Sequence, residues 1–420
     1  MRLAYLCADR GVPVAGTKGA SIHLRSVVTA LERRGHQVPV LAASTADVEA
    51  LDLAVRDIGF DRDLKRLRRQ LEERTGDRSL AGELHGLLLN RRTRQELDRL
   101  AGEAPLDGLY ERYSLWCWEG LRFARARRLP FVLEVNAPLV EEQTAYRGLG
   151  LSATARAVAE EVIPGADVVV VPAAELISHL RDDVGRQGPI EVVPNGIDAE
   201  LFLRPGSPPE TGWEPNDSSF VVAFLGSLKP WHGIDVLLAA FEQLVDECPS
   251  SQLLVVGDGP LAGAVGEAAR RWGRGRIHAT GAVPHEEVPY WLSLADVGVA
   301  PYPELEEFYF SPLKVIEYMA AALPVVASRS GQISETVEDG RTGLLVEPGD
   351  AQALATALVE LAAQPERRRE MGGRARRRAL ADYGWDRVAE RIERLFVTSI
   401  EAEDTSRPGR NDPAEVPLWV

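Results

Sequence analysis

Short apolar runs recur along the chain, and each is followed by a stretch in which apolar residues return at helical spacing. The runs are rich in Val and Leu and do not alternate with polar residues, which is typical of strands covered on both faces. Strands that alternate with helices predict right-handed βαβ crossovers and parallel sheets. The runs predicted to be strands are 2–7, 38–42, 108–110, 131–135, 167–171, 190–193, 221–225, 252–256, 276–280, 297–300, 324–327 and 343–346.

These runs divide into two equal sets, separated by a segment of different composition. Pro, Gly, Ser and Asn replace the periodic apolar residues at 204–219, which indicates a linker. We therefore predict an α/β chain with two doubly wound parallel-sheet domains, at 1–203 and 220–383. Residues 401–420 show no periodicity and are predicted to form a mobile tail.

Composition and charge limit the classes of protein to consider. The chain has 420 residues, of which 45% are hydrophobic, as is ordinary for a globular protein of two or three domains. Its formal net charge of -15 and the lack of an arginine- and aromatic-rich face argue against nucleic-acid binding.

Cysteine usage and hydropathy bear on the compartment. Cys7, Cys117 and Cys248 lack the spacing of a disulfide or metal site, which favours a reducing cytoplasm. No apolar run reaches the roughly 18 to 20 residues that span a bilayer, and the N-terminal run turns polar too early for a signal peptide. We expect a soluble cytoplasmic protein, at most peripheral to the inner membrane face.

The loops that follow the predicted strands are candidate binding elements, because open α/β sheets bind ligands at the carboxyl ends of their strands. Gly16, Lys18 and Gly19 form such a loop, and a helix is predicted at 21–34. Glycines allow close approach to a ligand, and a helix start offers free N–H groups to an anion. The same residues would also suit an ordinary turn. His23 is either a hydrogen-bonding group in the cleft or a structural histidine.

Two other patterns have competing interpretations. Gly257, Gly259 and Ala262 form the G-x-G-x-x-A pattern of a dinucleotide site, but the acidic residue expected about 20 positions later is missing. Binding of NAD is therefore not favoured. Asp61 and Asp63 could form a metal-binding acid pair, but acidic residues at the start of a charged helix are expected as partners of its dipole. The second interpretation is favoured, and no metal site is predicted.

A series of longer motifs identifies a resemblance. The chain resembles glycosyltransferase family 4 from residue 1 to about residue 400. The motifs are GTKGASIHLRSVVTALERRGHQV at 16–38, VVPNGIDAELF at 192–202, VAFLGSLKPWHGIDVLLAAF at 222–241, LLVVGDGP at 253–260, IHATGAVPHEEVPYWLSLADVGVAPY at 277–302, KVIEYMAAALPVVAS at 314–328 and ETVEDGRTGLLVEPGD at 335–350.

The resemblance implies the GT-B fold, in which two Rossmann-like domains face a cleft. The first domain would bind the acceptor, the second would bind a nucleotide-activated sugar, and the helix at 384–400 would cross back to the first domain. The family transfers the sugar with retention of anomeric configuration and without an essential metal.

The stretch FYFSPLKVIEYM at 308–319 carries the donor site that the resemblance implies. Ser311, Pro312 and Leu313 would present a helix N-terminus to the donor diphosphate, with Pro suited to the first helical position. Glu317 corresponds to the glutamate that accepts the ribose hydroxyls, and Lys314 would contact the diphosphate. The alternative is an exposed helical glutamate beside a solvated lysine. Further donor contacts implied by the resemblance are Gly226, Gly257, Asp258 and Val283.

The chain departs from the family pattern at three donor positions. Tyr309 stands where the family has a glutamate that touches the donor sugar, and Ser227 and His232 stand where it has Arg and Lys. Because a leaving diphosphate without a metal needs fixed positive charge, Lys229 and Lys314 are the predicted replacements. Loss of activity is the competing interpretation.

The predicted acceptor side lies at the ends of first-domain strands. YERYS at 110–114 and LEVNAPL at 133–139 would bring Glu111, Arg112, Glu134 and Asn136 to the cleft, with Glu134 and Asn136 as catalytic candidates. Many relatives have a histidine near Asn136, which this chain lacks. Polar residues at these positions could equally cap loops. The charged insert at 57–100 is either a peripheral membrane face or a solvated helical hairpin.

We therefore expect a retaining, metal-independent glycosyltransferase. It would move a hexose-type sugar from a nucleoside-diphosphate sugar, used as co-substrate with no other cofactor, to a hydroxyl of a sugar, lipid or small-molecule acceptor. The alternatives are a nucleotide-sugar epimerase, a phosphorylase-type enzyme, and a nucleotide-sugar-binding protein without transfer activity.

Overall fold

A computed structural model describes the chain except for residues 17, 60–61, 147, 204–212, 217, 274, 306–310, 312 and 406–420. Within the described residues, two parallel β-sheets form the centres of two α/β units. The first sheet contains β1 (Leu3–Cys7), β2 (Val40–Ala42), β3 (Val55–Asp57), β4 (Gly108–Arg112), β5 (Phe131–Glu134), β6 (Val168–Val171) and β7 (Ile190–Val192). The second contains β8 (Val221–Leu225), β9 (Gln252–Val256), β10 (Ile277–Gly281), β11 (Val297–Ala300), β12 (Val325–Ser328) and β13 (Gly343–Val346).

Helices connect the strands and cover both sheets. Those of the first half are α1 (Gly19–Arg33), α2 (Arg62–Thr75), α3 (Arg78–Glu103), α4 (Glu119–Arg127), α5 (Leu139–Tyr146), α6 (Ser152–Gly165), α7 (Leu176–Asp182) and α8 (Ala199–Leu203). Those of the second half are α9 (Ile234–Glu247), α10 (Ala262–Trp272), α11 (Val288–Ser293), α12 (Leu313–Ala320), α13 (Ile333–Thr336), α14 (Ala351–Ala362), α15 (Pro365–Asp382) and α16 (Trp385–Thr405).

The strand order of both sheets reverses once. It is β3-β2-β1-β4-β5-β6-β7 in the first sheet and β10-β9-β8-β11-β12-β13 in the second. The reversals lie between β1 and β4 and between β8 and β11, which are the switch points where doubly wound folds bind ligands. The predicted pair of doubly wound domains is confirmed.

Apolar cores cover both faces of each sheet. In β1, Tyr5 and Cys7 point into one core while Ala4 and Leu6 point into the other, and all four are fully buried. This follows from the two-residue period of a strand. Burial on both faces explains why the strands read as continuous apolar runs rather than alternating ones.

All of the predicted strands are present, with ends that differ by at most two residues. The short β3 was not predicted. Its sequence, VRD, pairs with β2 through Val55, Arg56 and Asp57, and all three residues are only half-buried. Such a short strand at a sheet edge lacks the apolar run by which the other strands were predicted.

The chain passes between the two units at two neighbouring points. Ile197 and Phe202 pack in a core of the second unit although they precede the predicted boundary at 203, whereas Val193 packs in the first. On the return, Trp385 begins α16, which packs against α1 of the first unit through apolar residues such as Ile392. The division into domains remains a prediction, and most of the predicted linker, at 204–212 and 217, lies outside the described residues.

The insert at 57–100 forms a helical hairpin, in which α2 packs against α3. None of the residues of α2 is buried, and Leu67 is 40% exposed. Peripheral membrane contact remains a prediction. Among the described residues, no helix combines the length and the apolar character needed to cross a membrane. Most of the predicted tail, at 406–420, is outside the described part of the chain.

Candidate active site

Two glycine-containing loops meet at the carboxyl edge of the second sheet. Gly226 follows β8 with φ of 126° and Gly257 follows β9 with φ of 139°, a region of backbone geometry that favours glycine. A Cβ added to Gly257 would overlap the carbonyl oxygen of Gly226. The loops are joined by a hydrogen bond of 3.0 Å from the Leu228 amide to the Asp258 carbonyl oxygen. The close approach leaves backbone, rather than side chains, at the edge of the sheet.

Lys314 in α12 lies against these loops and is buried, with 7% of its surface exposed. Its Nζ is 4.4 Å from the ring centre of Phe224 and 5.2 Å from that of Tyr302. A Cβ added to Gly226 would lie 3.3 Å from this Nζ. Among the described residues, the amine has no hydrogen-bond partner. Burial lowers the pKa of Lys314 to about 7, although the charge of Glu317 opposes the shift.

An ammonium group without a hydrogen-bond partner in a buried position is unfavourable unless an anion completes its surroundings. The Oγ of Ser311, just before α12, is also buried without a hydrogen-bond partner in the described part of the chain. Lys314 and Ser311 therefore provide two unused donors at the N-terminus of a helix, which itself favours an anion.

Glu317 lies one turn further along α12 and is 9% exposed. The Nε2 of His285, in the turn after β10, lies 2.9 Å from Glu317 Oε1. Burial alone would lower the pKa of His285, but the hydrogen bond and charge of Glu317, with the charges of Glu286 and Asp198, raise it above its usual value. The alternative of an exposed glutamate beside a solvated lysine is wrong, since both side chains are buried.

Ser227 and His232, which replace the family's two cations, contact each other. His232 Nδ1 lies 2.5 Å from the carbonyl oxygen of Ser227, so this nitrogen carries the hydrogen and donates it. Burial and the charge of Lys314 lower the pKa of His232 to about 4. His232 is therefore neutral near pH 7. Lys229, the other predicted cation, has its Nζ 4.9 Å from the ring centre of Trp231.

The remaining predicted donor residues lie around this edge. Val283 is half-buried after β10, Asp258 is exposed after β9, and Leu313 begins α12. Tyr309 and Pro312 lie outside the described residues. The structure thus brings Lys314 close to Gly226 and His232.

The first-domain loop approaches the same helix. Gly19 starts α1, and a Cβ added there would lie 3.7 Å from Cδ1 of Leu313. The loop is fixed by Arg25, whose Nη1 donates hydrogen bonds of 2.6 Å to the carbonyl oxygens of Val14 and Gly16. Lys18, between the two glycines, is exposed. The predicted loop therefore faces the donor-side helix across the cleft.

Glu134 is the centre of a buried polar cluster in the first domain. Its Oε1 lies 2.7 Å from Nε2 of His23, 3.1 Å from Nη1 of Arg112 and 2.6 Å from Nδ2 of Asn136. Its Oε2 accepts a hydrogen bond of 2.9 Å from the hydroxyl of Tyr110. His23 also packs edge-on against Trp385 of α16. The sequence analysis named Glu134, His23, Arg112 and Asn136 as candidates but did not predict that the other three side chains contact Glu134.

The cluster changes the interpretation of Glu134. Burial would raise the pKa of Glu134, but the charge and hydrogen bond of His23, the charge of Arg112 and the hydrogen bond of the Asn136 amide lower it to about 2. A carboxylate this acidic and only 2% exposed is a poor proton acceptor near pH 7. The arrangement favours a role in holding the surrounding side chains over the predicted catalytic one.

Glu111 does not reach the cleft, contrary to the prediction. It is fully buried on the opposite face of β4 from Tyr110, as the alternation of a strand requires. A Cβ added to Gly120 of α4 would overlap its carboxyl group. Burial raises the pKa of Glu111 to about 8.

Three residues around Lys314 and Glu317 were not predicted. Phe224 and Tyr302 lie beside the Lys314 amine, but in the sequence Phe224 belongs to an apolar run that indicates core, and Tyr302 follows another such run closely. His285 lies in the loop that follows β10. Because loops at the carboxyl ends of strands were the candidate binding elements, this position could have identified His285 from the sequence. Within the described residues, no group of three or more His, Cys, Asp or Glu side chains has the arrangement of a metal site.

Family models match both halves of the chain. The model described as Glycosyltransferase Family 4 matches residues 17–201, and the one described as Glycosyl transferases group 1 matches residues 219–364. The first matched region contains β2 to β7 of the first sheet, and the second contains all six strands of the second sheet.

Curated relatives are similar over large parts of the chain. A GDP-mannose-dependent alpha-(1-6)-phosphatidylinositol monomannoside mannosyltransferase of Mycolicibacterium smegmatis is 28% identical, over 73% of this chain and 80% of the relative. The alpha-maltose-1-phosphate synthase of the same organism is 32% identical, over 56% of this chain and 64% of the relative. A D-inositol 3-phosphate glycosyltransferase of Catenulispora acidiphila is 32% identical, over 59% of this chain and 60% of the relative. The chain thus spans less than two thirds of the length of the last two.

Solved structures share the fold. Sucrose-phosphate synthase of Thermosynechococcus elongatus superposes with a TM-score of 0.69 at 22% identity, covering 96% of this chain and all of the other. HepE of Anabaena, in complex with UDP, superposes with a TM-score of 0.66 at 18% identity, and the match covers 95% of this chain and 100% of HepE. With two facing doubly wound units and both halves matched by glycosyltransferase models, the chain belongs to glycosyltransferase family 4 and has the GT-B fold.

Proposed function

We propose that this protein moves a hexose-type sugar from a nucleoside-diphosphate sugar to an acceptor hydroxyl, with retention of anomeric configuration and without a metal ion. The observation that carries the proposal is the buried amine of Lys314, which lies beside Gly226 at the edge of the second sheet without a hydrogen-bond partner among the described residues. A donor diphosphate at this position would supply the missing anion.

The chemistry follows from where charge develops. When the bond from the sugar to the diphosphate breaks, negative charge grows on the leaving oxygen, and a fixed cation lowers the energy of that transition state. Lys314 would supply the cation, and the α12 N-terminus with the Ser311 hydroxyl would add hydrogen-bond donors. Glu317, one turn away, would accept the ribose hydroxyls and so align the diphosphate with Lys314.

Retention and the absence of a metal requirement are what the family resemblance implies. The mannosyltransferase relative makes GDP-mannose the first donor to test, followed by UDP- and ADP-sugars. The acceptor is proposed to be a small molecule, sugar or lipid bound by the first domain.

A second function has one observation in its favour. His232 is neutral near pH 7, and with Ser227 it leaves the family's two cationic positions without charge. A protein that binds a nucleotide sugar without transferring it would tolerate this loss.

One experiment separates the two functions. The purified protein is first tested for a rise in melting temperature with GDP-, UDP- and ADP-sugars, because a ligand that binds only the folded state stabilises it. The stabilising donor is then incubated with an acceptor mixture in EDTA, and the new glycoside is detected by mass spectrometry. Its anomeric configuration is read by NMR.

The expected result is a glycoside with the donor's anomeric configuration, formed at an unchanged rate in EDTA. Stabilisation without any glycoside or released sugar would favour the binding protein. A rate that EDTA abolishes and Mg²⁺ or Mn²⁺ restores would contradict metal independence.

A further inference from the structure

A cavity of about 380 Å³ lies between α3 and the first sheet. It is walled by the loop after β1 at 8–10, the loop after β4 at 114–117 and one face of α3. Leu139 of α5 and Leu149 close another side. We call this cavity the α3 pocket. Its volume falls in the lower part of the range of small-molecule sites.

The α3 pocket lies at the switch point of the first sheet. The strand order reverses between β1 and β4, and the loops that follow these two strands form the pocket wall. Ligands of doubly wound folds bind outside the carboxyl ends of the strands at such a point. The loop that carries Gly16 and Gly19 to the cleft also follows β1. The end of β1 thus leads both to the α3 pocket and to the loop whose Gly19 approaches Leu313 of the donor-side helix.

The buried polar side chains of the wall are already occupied. Glu83, 6% exposed, accepts hydrogen bonds from two backbone amides at the start of α6, at 2.9 and 2.8 Å. Asn90, 5% exposed, donates to two carbonyl oxygens and accepts from the amides of Trp118 and Glu119. The hydroxyl of Thr93 donates to the carbonyl oxygen of Leu89. These groups hold the wall together and leave little capacity for a polar ligand.

The wall offers a ligand somewhat more apolar than polar surface, with Ser79 and Gln143 as further polar lining residues. The apolar lining residues are Ala8, Leu89, Leu115, Trp116, Leu139 and Leu149. Charged residues, Asp9 and Arg10, stand in the loop after β1, where Arg10 is exposed. A ligand that fits would place an apolar group inside and its hydroxylated part toward this loop.

We propose that the α3 pocket binds an apolar ring of the acceptor, aromatic or alicyclic, and so selects acceptors that carry such an aglycone. This inference rests on the proposed function, because it takes the ligand beside the cleft to be the acceptor. The acceptor hydroxyl would project from the pocket mouth toward the donor.

Gly82 offers a way to fill the pocket without disturbing its wall. It lines the pocket, and a Cβ added to it would meet no atom within 4 Å. Gly102 lies on the same helix, also with no atom within 4 Å of an added Cβ, but it does not line the pocket. Replacing either glycine by Leu raises helix propensity, so both variants are expected to fold. Gly86 is unsuitable, because an added Cβ would overlap the ring of Trp116.

The test compares the parent with Gly82→Leu and Gly102→Leu. The probes are the phenyl and methyl glycosides of glucose and of mannose, and binding is measured by calorimetry without donor. We expect the parent to bind the phenyl member of at least one pair about tenfold more tightly than its methyl partner. Gly82→Leu should lose this preference, and Gly102→Leu should keep it.

Two results would overturn the proposal. The first is that the parent binds the phenyl and the methyl glycoside of each sugar with equal affinity. The second is that Gly82→Leu still prefers the phenyl glycoside. Donor binding and turnover are measured on the same three proteins. Because the glycoside measurement needs no donor, failure of the pocket and failure of the proposed sugar transfer give different results.

Discussion

His285 Nε2 lies 2.9 Å from Oε1 of Glu317, so the carboxylate predicted to bind the ribose is already held by a side chain from another loop. The contact connects the turn after β10 with α12, and both border the proposed donor site. A carboxylate has lone pairs for several hydrogen bonds, so His285 and two ribose hydroxyls can share it. His285 thereby fixes the direction in which Glu317 points.

The first prediction concerns Glu317→Gln. An amide accepts weaker hydrogen bonds than a carboxylate, and we expect nucleoside-diphosphate binding to weaken by roughly 1.5 to 3 kcal/mol, or about ten- to a hundredfold. Calorimetric titration of the nucleotide measures the loss. Glu286→Gln, an exposed neighbour of His285, is the matched control and should bind as the parent does. Unchanged affinity in Glu317→Gln would mean that the ribose lies elsewhere.

The second prediction concerns the pH dependence of the His285–Glu317 pair. The pKa of His285 is higher in the folded protein than in the unfolded chain, where it is near 6.5. Protonated His285 therefore stabilises the fold fully at pH values below 6.5, and this stabilisation is lost as the pH rises through the pKa of the folded state. We expect His285→Gln to lower the free energy of unfolding by roughly 1 kcal/mol at pH 6 and by less at pH 8.5. Urea titrations at both pH values measure this difference. An equal loss at both would show that the charge of His285 does not contribute.

The third prediction concerns Lys314→Met. If Lys314 stabilises the leaving diphosphate, turnover should fall on the order of a hundredfold, and turnover over KM should fall with it. A variant that mainly raised KM would assign Lys314 to ground-state binding instead.

The same variant should be more stable than the parent without ligand. With a folded pKa of about 7 against an unfolded value near 10.5, the unfolded parent binds more protons between these values. The stability of the parent therefore rises with pH over this window, and the buried ammonium is most unfavourable below it. Met fills a similar volume without charge, and we expect a gain of about 1 to 3 kcal/mol at pH 7. Thermal unfolding measures it.

The fourth prediction is that donor binding takes up a proton. At pH 8 the amine of Lys314 is mostly neutral, and a bound diphosphate would raise its pKa well above 8. Between about half and one proton per nucleotide should then be taken from the buffer. Calorimetry in two buffers of different ionisation enthalpy measures this number. Lys314→Met should show little uptake, and a parent that takes up none would contradict the assignment.

The fifth prediction tests the two family positions that lack charge. In the Lys314→Met background, Ser227→Arg combined with His232→Lys should recover part of the lost turnover, since both positions lie in the loop against Lys314. Lys229→Ala serves as the comparison, because its amine lies over Trp231 in this structure. If Lys229→Ala is inactive while Lys314→Met retains parental turnover, Lys229 is the diphosphate partner.

The strands and the loops that follow them could be predicted, because both depend on the pattern of neighbouring residues in the sequence. Continuous Val and Leu runs identified the buried strands, and the loop residues after them, such as Gly226 and Gly257, were located by motif. The three-residue β3 was missed because three half-buried residues make no pattern. Glu111 was placed in the cleft because the sequence does not show which face of β4 its side chain takes.

Contacts between distant segments could not be predicted. Glu134 is surrounded by His23 from α1 and Arg112 from β4, and nothing in the individual segments indicates that they meet. The α3 pocket likewise depends on an insert that packs over two strand ends. The lowered pKa of Lys314 follows from its burial, which depends on the packing of distant segments and is not visible in the sequence.

The two passages of the chain between the domains have a consequence for motion. The amide of Ile197 donates to the carbonyl oxygen of Tyr383 at 2.8 Å, and the amide of Trp385 donates to that of Ile197 at 3.3 Å. Two chain segments paired in this way would bend together and so would serve as a single hinge. Opening about it would break the hydrogen bond from Gln332 Nε2 to the Pro172 carbonyl oxygen between the domains. Rotation of one unit about these paired segments would therefore widen the cleft without a break in either crossing of the chain.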